Sequence, residues 1–329
     1  MAGQRQKRNR LAIVPARSDP KSPFRVAPAC RRRLAFGPDY WNQAMQLFLA
    51  NDTESAAHAG CKAVMRSIRA AIAGVPDLTI SGGQDHKVKK VDEQAFAAAD
   101  VLLVNGEGTI HHSGPRAQFL LGLIQRARRM GKRVMLVNAL FQQYDCPEDD
   151  LLAACHLLTV REPRSAAFAR RYGGRPRILL DSSADPAFLG SGKALPLRHG
   201  RVIGGVHAKG LLYDPFAEIE GDKLTMHTHS FEDIVATLRG AEIYLTAQHH
   251  GVYAAALAGC PFITSPSNSH KIESFIQWTG LPIPICMGLE EIVPAMAFAL
   301  RNRSIYAELA DFMASQSVLT SAMIADALR

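Results

Sequence analysis

The sequence predicts an α/β protein of two Rossmann-like domains, each built on a parallel sheet, with a cleft between them. Three observations predict it. Short apolar runs alternate with helix-like segments along most of the chain. The run Val101-Leu102-Leu103-Val104 is apolar at every position, as in a parallel strand covered on both faces. The alternation breaks once, at 184–200, where two Pro and three Gly gather, and then restarts. Repeated strand–helix alternation means a parallel sheet with helices packed on it.

In chain order, residues 1–45 are rich in Arg and Pro and read as a disordered tail and connector. The first domain, 46–190, opens with a strand at 46–50. A helix follows over 56–73, with Ala63, Val64, Ile68 and Ile72 at helical spacing. A strand at 78–80 is closed by Gly82-Gly83, and a short helix spans 93–99. After the strand 101–104, Pro115 suits a helix's first turn and Arg128 and Arg129 its last, so a helix runs to about Gly131. Strands at 133–137, 157–160 and 178–180 alternate with helical segments at 151–155 and 163–172.

The second domain, 201–329, repeats the pattern. Strands are expected at 202–206, 242–245 and 261–264. Ser230 caps a helix over 231–238 with Glu232 and Asp233 in its first turn. Helices follow over 252–258 and 271–278. From Leu289 the chain is helical, with one long amphipathic helix over 306–328.

Composition narrows the function classes. The 329 residues are 47% hydrophobic and 21% charged, as in a protein with a real core. The net charge of +8 suggests nucleic acid until it is located. Residues 1–33 carry ten Lys or Arg and one acid, so the tail holds +9 and the body −1. No specific nucleic-acid partner is implied. The tail either solubilises the protein or makes peripheral contact with an anionic membrane face. No signal-peptide core and no run of ~20 apolar residues is present. Six cysteines without a C-x-x-C pair argue against a zinc site or a disulfide framework and fit a reducing cytoplasm, including its membrane face.

Ligands of open α/β sheets bind at the carboxyl ends of strands. Five strand ends are polar. Asn105-Gly106-Glu107-Gly108-Thr109, followed by His111 and His112, offers backbone N–H groups to an anion. It lacks the third glycine of a dinucleotide fingerprint. Asn51-Asp52-Thr53-Glu54 with His58-Ala59-Gly60-Cys61 faces the same side, or else Asp52 or Ser55 caps a helix. Arg161-Glu162-Pro163-Arg164-Ser165 either holds a carboxylate or phosphate through Arg161, or clamps a helix start. Gln248-His249-His250-Gly251 places His250 as a general acid or base. Ser265 to Lys271 presents Ser269 and Lys271 to an anion, or Ser269 caps the helix. His207, His227 and His229 cluster without an acid that completes a metal set. Asp181 and Asp185 line the cleft or cap a turn.

Taken together, these segments resemble the polysaccharide pyruvyl transferase family. Ala99 through Thr109 looks like that family's glycine-rich strand-turn, and Gly131-Lys132-Arg133-Val134 through Asn138 like its next strand. Val160-Arg161-Glu162-Pro163-Arg164-Ser165 resembles its R-E-x-x-S step. Asp181 and Asp185-Pro186 resemble the acidic segment before the crossover. Thr246 through Gly251 resembles its T-x-R-x-H segment, and Pro261-Phe262-Ile263 through Lys271-Ile272 its following strand and helix. The resemblance covers about residues 46–280. It implies a GT-B-like domain pair that transfers the enolpyruvyl unit of phosphoenolpyruvate to two hydroxyls of a saccharide, free or lipid-linked. Phosphoenolpyruvate is a co-substrate, and no metal or organic cofactor is implied. Gln248 stands where the family has Arg, which implies either that another cation meets the donor's charge or that the donor is a different one.

On this reading His250 is the acid, and Glu107 or Glu162 is the base or orients it. Asn51, Asp52, Asn105, Gly106, Gly108, Thr109, His111, Arg161, Gln248, Ser269 and Lys271 form the binding surface. The alternative is a GT-B glycosyltransferase with a nucleotide-sugar donor. A third reading is a non-catalytic, membrane-associated scaffold.

Overall fold

The computed structural model describes residues 44–143, 146, 148–205 and 215–329. The basic tail, Val206 and His207 lie outside the described residues.

The first half is a six-stranded parallel sheet in the order β2-β1-β3-β5-β7-β8. Its strands are β1 (Met45–Asp52), β2 (Leu78–Asp85), β3 (Val101–Asn105), β5 (Arg133–Ala139), β7 (Leu157–Val160) and β8 (Arg177–Ile178). Two short strands, β4 (Ile110–His111) and β6 (Phe141–Gln142), pair beside it. β3 is buried at all five positions, as its apolar run requires. The covering helices are α1 (Ala59–Ala73), α2 (Glu93–Ala98), α3 (Pro115–Arg129) and α4 (Pro163–Arg171). A 3₁₀ turn over Leu151–Ala154 stands where a helical segment was expected. The second strand is longer than its sequence suggests. It continues through Gly82 and Gly83, where a side chain on Gly82 would strike Ala95 and Phe48.

A 3₁₀ turn at Ser182–Ala184 and the short helix α5 (Pro186–Leu189) begin the crossover. The second half is a four-stranded parallel sheet, β10-β9-β11-β12, from β9 (Arg201–Ile203), β10 (Asp222–Lys223), β11 (Ile243–Thr246) and β12 (Phe262–Thr264). Helices α6 (Phe231–Leu238), α7 (His249–Ala258), α8 (Lys271–Thr279), α9 (Ile292–Arg301), α10 (Arg303–Ser315) and α11 (Ser321–Leu328) complete the chain. Ser230 caps α6 by accepting from Asp233 N, as expected.

Two features tie the halves together. The N-terminal turn of α1 enters the second half: Ala59 and Ala63 join its core, and Ala59 N donates to Met226 O at 2.6 Å. The expected long terminal helix is instead two helices. It breaks at 316–320, where Leu180 N donates to Ser317 O and Thr320 caps α11 through Met323 N. The chain thereby returns to the first half, and Leu319, Ile324 and Leu328 pack with Val64, Ile68 and Leu103. Each such aliphatic burial stabilises by about 1.5–3 kcal/mol, which outweighs the few residues of helix lost at the break. Among the described residues, no helix is long and apolar enough to cross a membrane.

Candidate active site

A cavity of about 870 Å³ lies between the carboxyl ends of the two sheets. Its walls come from the turn after β3, the residues after β1, and the starts of α1, α3, α7 and α8. Those four helix starts share one property. Their N-cap residues, His58, Gly114, Gln248 and His270, provide no side-chain cap. Backbone N–H groups at such ends carry partial positive charge and suit an anion.

The turn after β3 is held rigidly. Asn51, at φ +59°, sends its amide to Asn105 O at 2.6 Å and to Thr109 Oγ1 at 3.3 Å. Asn105 Oδ1 accepts from Glu107 N at 3.1 Å. Gly106 packs on Ala139, where a Cβ would come within 2.7 Å of backbone, and Gly108 sits at φ +51°. The result aims Glu107 inward, with Thr53 Oγ1 donating to Glu107 Oε2 at 3.0 Å.

His250 comes from the other half and meets that carboxylate. Its Nε2 lies 3.4 Å from Glu107 Oε1 and 3.6 Å from Asp181 Oδ1. Gly60 makes this approach feasible: a Cβ there would fall within 2.5 Å of His250 Nδ1. Asp181 is fully buried and pairs with Arg161 at 2.6 Å and with His249 at 3.5 Å. Burial pushes the Asp181 carboxyl up, but His250, Arg161 and His249 together hold it well below the usual carboxylate range. Burial opposes charge on Arg161 too, and Asp181 and Glu107 outweigh it. His249, pressed down by burial and then by Arg161, is neutral.

Lys271 closes the site. It is 8% exposed, its Nζ donates to Asn268 Oδ1 at 2.6 Å, and burial followed by Arg161 lowers it to about 8. Arg161 spends one guanidinium nitrogen on Asp181, while Nε and Nη2 have no hydrogen-bond partner among the described residues. A buried guanidinium with spare donors, beside a buried ammonium, has the chemistry to receive an anion.

Of the residues singled out from sequence, Asn51, Glu107, Gly108, Thr109, His111, Arg161, Gln248, His250 and Lys271 line this cavity. Five do not. Glu162 is corrected from base to scaffold: it caps α4 by accepting from Arg164 N and Ser165 N, and also holds Ser165, His270 and Ser274. Burial works against its charge, but His270, Ser165 and Ser274 hold its carboxyl below the ordinary value. Every lone pair is thus engaged in the wall. Asp52 turns away to pair with Arg69. Asn105 and Gly106 shape the turn from behind. Ser269 is buried beside α8 and neither caps it nor lines the cavity; α8 begins without a side-chain cap.

His58, Cys61, Thr53 and His249 also line the cavity, and Asp181 lies directly behind it; none was singled out for the site. In the sequence, His58-Ala59-Gly60-Cys61 is marked only by following the first strand, with no role of its own. Asp181, at the end of Leu179-Leu180, carries the strand-end signal, which fits cleft and turn alike.

No protein-family model matches the chain, and no curated protein matches it. Solved structures do match. UDP-GlcNAc 2-epimerase from Neisseria meningitidis, bound to UDP-GlcNAc, superposes with a TM-score of 0.51 at 11% identity, over 86% of this chain and 99% of that one. A putative UDP-N-acetylglucosamine 2-epimerase from Listeria monocytogenes gives 0.51 at 11% identity, over 85% and 94%. UGT89C1 of Arabidopsis thaliana, complexed with quercetin, gives 0.50 at 10% identity, over 83% and 94%. At such identities the likeness concerns the fold. The chain has a GT-B-like pair of Rossmann-like domains.

Proposed function

We propose that the protein is a sugar-modifying transferase that moves the pyruvyl group of phosphoenolpyruvate onto two hydroxyls of a saccharide. The supporting observation is the meeting of His250 with Glu107 in a cavity that also presents Lys271, Arg161 and four helix starts without side-chain caps. Phosphoenolpyruvate carries a carboxylate and a phosphate, and these groups supply cations and N–H donors for both. In the reaction, one sugar hydroxyl oxygen bonds to the central enol carbon while the methylene carbon takes a proton to become methyl. The second hydroxyl then displaces phosphate, which leaves with the remaining proton. His250 delivers the proton to carbon, Glu107 accepts one from a hydroxyl, and Asp181 keeps the His250 ring oriented.

The test is incubation of the purified protein with phosphoenolpyruvate and candidate glycans, following phosphate release and the pyruvyl mass increment. His250→Gln is expected to lower turnover by about 10²–10⁴-fold. Wild-type turnover in that variant rules the assignment out.

A second reading is a glycosyltransferase or epimerase acting on a nucleotide-sugar. The shared fold favours it, because two matched structures are named as UDP-GlcNAc or UDP-N-acetylglucosamine 2-epimerases. Thermal melting separates the two: stabilisation by UDP but not by phosphoenolpyruvate selects the nucleotide-sugar reading.

A further inference from the structure

His58, Cys61 and His250 bring soft ligand atoms from both halves to one point. One atom from each residue lies within 4.8 Å of the others. Bond lengths of ~2.0–2.1 Å to nitrogen and ~2.3 Å to sulfur place tetrahedral N and S ligands of zinc about 3.6 Å apart. His58 Nδ1 and Cys61 Sγ are 3.6 Å apart. The His58–Cys61 pair therefore already stands at ligand spacing.

The surroundings agree. Asp181 lies 3.6 Å from His250 Nε2 and adds negative charge beside the cluster, which favours a cation there. His58 and Cys61 stand at the first turn of α1, fixed by the Ala59 hydrogen bond to Met226 and by the Gly60 approach to the His250 ring. A set of two imidazoles and one thiolate favours borderline-soft ions such as Zn²⁺ over Mg²⁺ or Ca²⁺.

We propose that His58, Cys61 and His250 bind one zinc-class ion, with water in the fourth position, and that this ion switches the active site off. The switch follows from occupancy: an imidazole bound to an ion through either nitrogen cannot also carry the second proton that the His250 acid must deliver. Metal binding stands on the cluster alone, whereas inhibition rests on the reaction proposed above. On binding, the Cys61 thiol releases its proton to solvent and the sulfur bonds to the ion without any change of oxidation state.

The experiment uses the full chain, stripped with chelator and titrated with Co²⁺. A sulfur-to-cobalt charge-transfer band and strong visible bands of a four-coordinate ion are expected, saturating at one ion per chain and abolished by Zn²⁺. Cys61→Ser should lose the charge-transfer band, and His58→Ala should lose the four-coordinate visible spectrum. Equimolar Zn²⁺ should abolish phosphate release from phosphoenolpyruvate, and chelator should restore it. Absence of the band in the wild-type protein, or its survival in Cys61→Ser, overturns the site. The wild-type titration decides this even if the variants do not fold. A bound ion that leaves turnover unchanged or raises it overturns the switch. If phosphoenolpyruvate is not a donor at all, the cobalt titration still decides the site, so the two failures are distinguishable.

Discussion

Two strand-to-helix junctions approach the cavity, and they are built in opposite ways. At the junction of β7 and α4, the N-cap Glu162 folds its carboxylate over the helix start and fills it. At the junction of β11 and α7, the N-cap Gln248 leaves the helix start without a side-chain cap, and its Oε1 has no hydrogen-bond partner among the described residues. Both sequences are polar and follow apolar strands. The difference teaches that polarity at a strand end marks a place where chemistry can sit. Whether the helix caps itself decides if that place is wall or site.

Asp181 couples the junctions, touching Arg161 of the first and His249 and His250 of the second. Asp181→Asn leaves a buried guanidinium without its counter-charge and is expected to cost about 3–5 kcal/mol in urea unfolding. A loss below one kcal/mol, within the range of about 0–1 kcal/mol typical of surface pairs, breaks the view of Asp181 as the common post.

Lys271 serves the open side. It loses its proton as pH rises through about 8, so on the proposed function anionic donor binding is expected to be full below that pH and to weaken above it. The expected loss is about 1.5–3 kcal/mol of charged hydrogen bonding, seen as a rise in donor KM in a pH series. Lys271→Met should flatten that rise; an unchanged pH profile in the variant removes Lys271 from donor binding.

The closed side has a smaller and purely structural stake. Glu162→Gln is expected to lower stability by about 1–2 kcal/mol through the weakened cap, with kcat little changed once the protein is folded. A collapse of kcat in folded Glu162→Gln would restore the base that the geometry denies it. The smallest effect comes from closing the open junction. Gln248→Asp should cap α7 and raise stability by about 0.5–1 kcal/mol while raising donor KM. Gln248→Ser, which caps without charge, separates the two contributions. If Gln248→Asp leaves KM unmoved, the α7 start does not face the donor.

Much of this was legible in the sequence. The all-apolar β3 and the restart after the crossover predict the paired parallel sheets, and the strand-end rule finds Glu107, His250 and Lys271. What failed to show has a common cause. Glu162 looks like any strand-end acid, because the Ser274 and His270 that engage it lie more than 100 positions away along the chain. Asp52 turns to Arg69, a helical neighbour that no strand-end rule considers. His58 and Cys61 gain meaning only when Gly60 admits the His250 ring from the other half. The long helix expected over 306–328 has the right periodicity. It breaks because a second hydrophobic surface, on the far half, competes for Leu319, Ile324 and Leu328.

That return of α11 has a consequence for biogenesis. A ribosome delivers β1 long before α11, yet both belong to one hydrophobic cluster. The first half therefore waits, with part of its sheet face uncovered, until the second half has been made and the chain doubles back. The nascent protein is most vulnerable to aggregation in that interval, and its two halves are finished together.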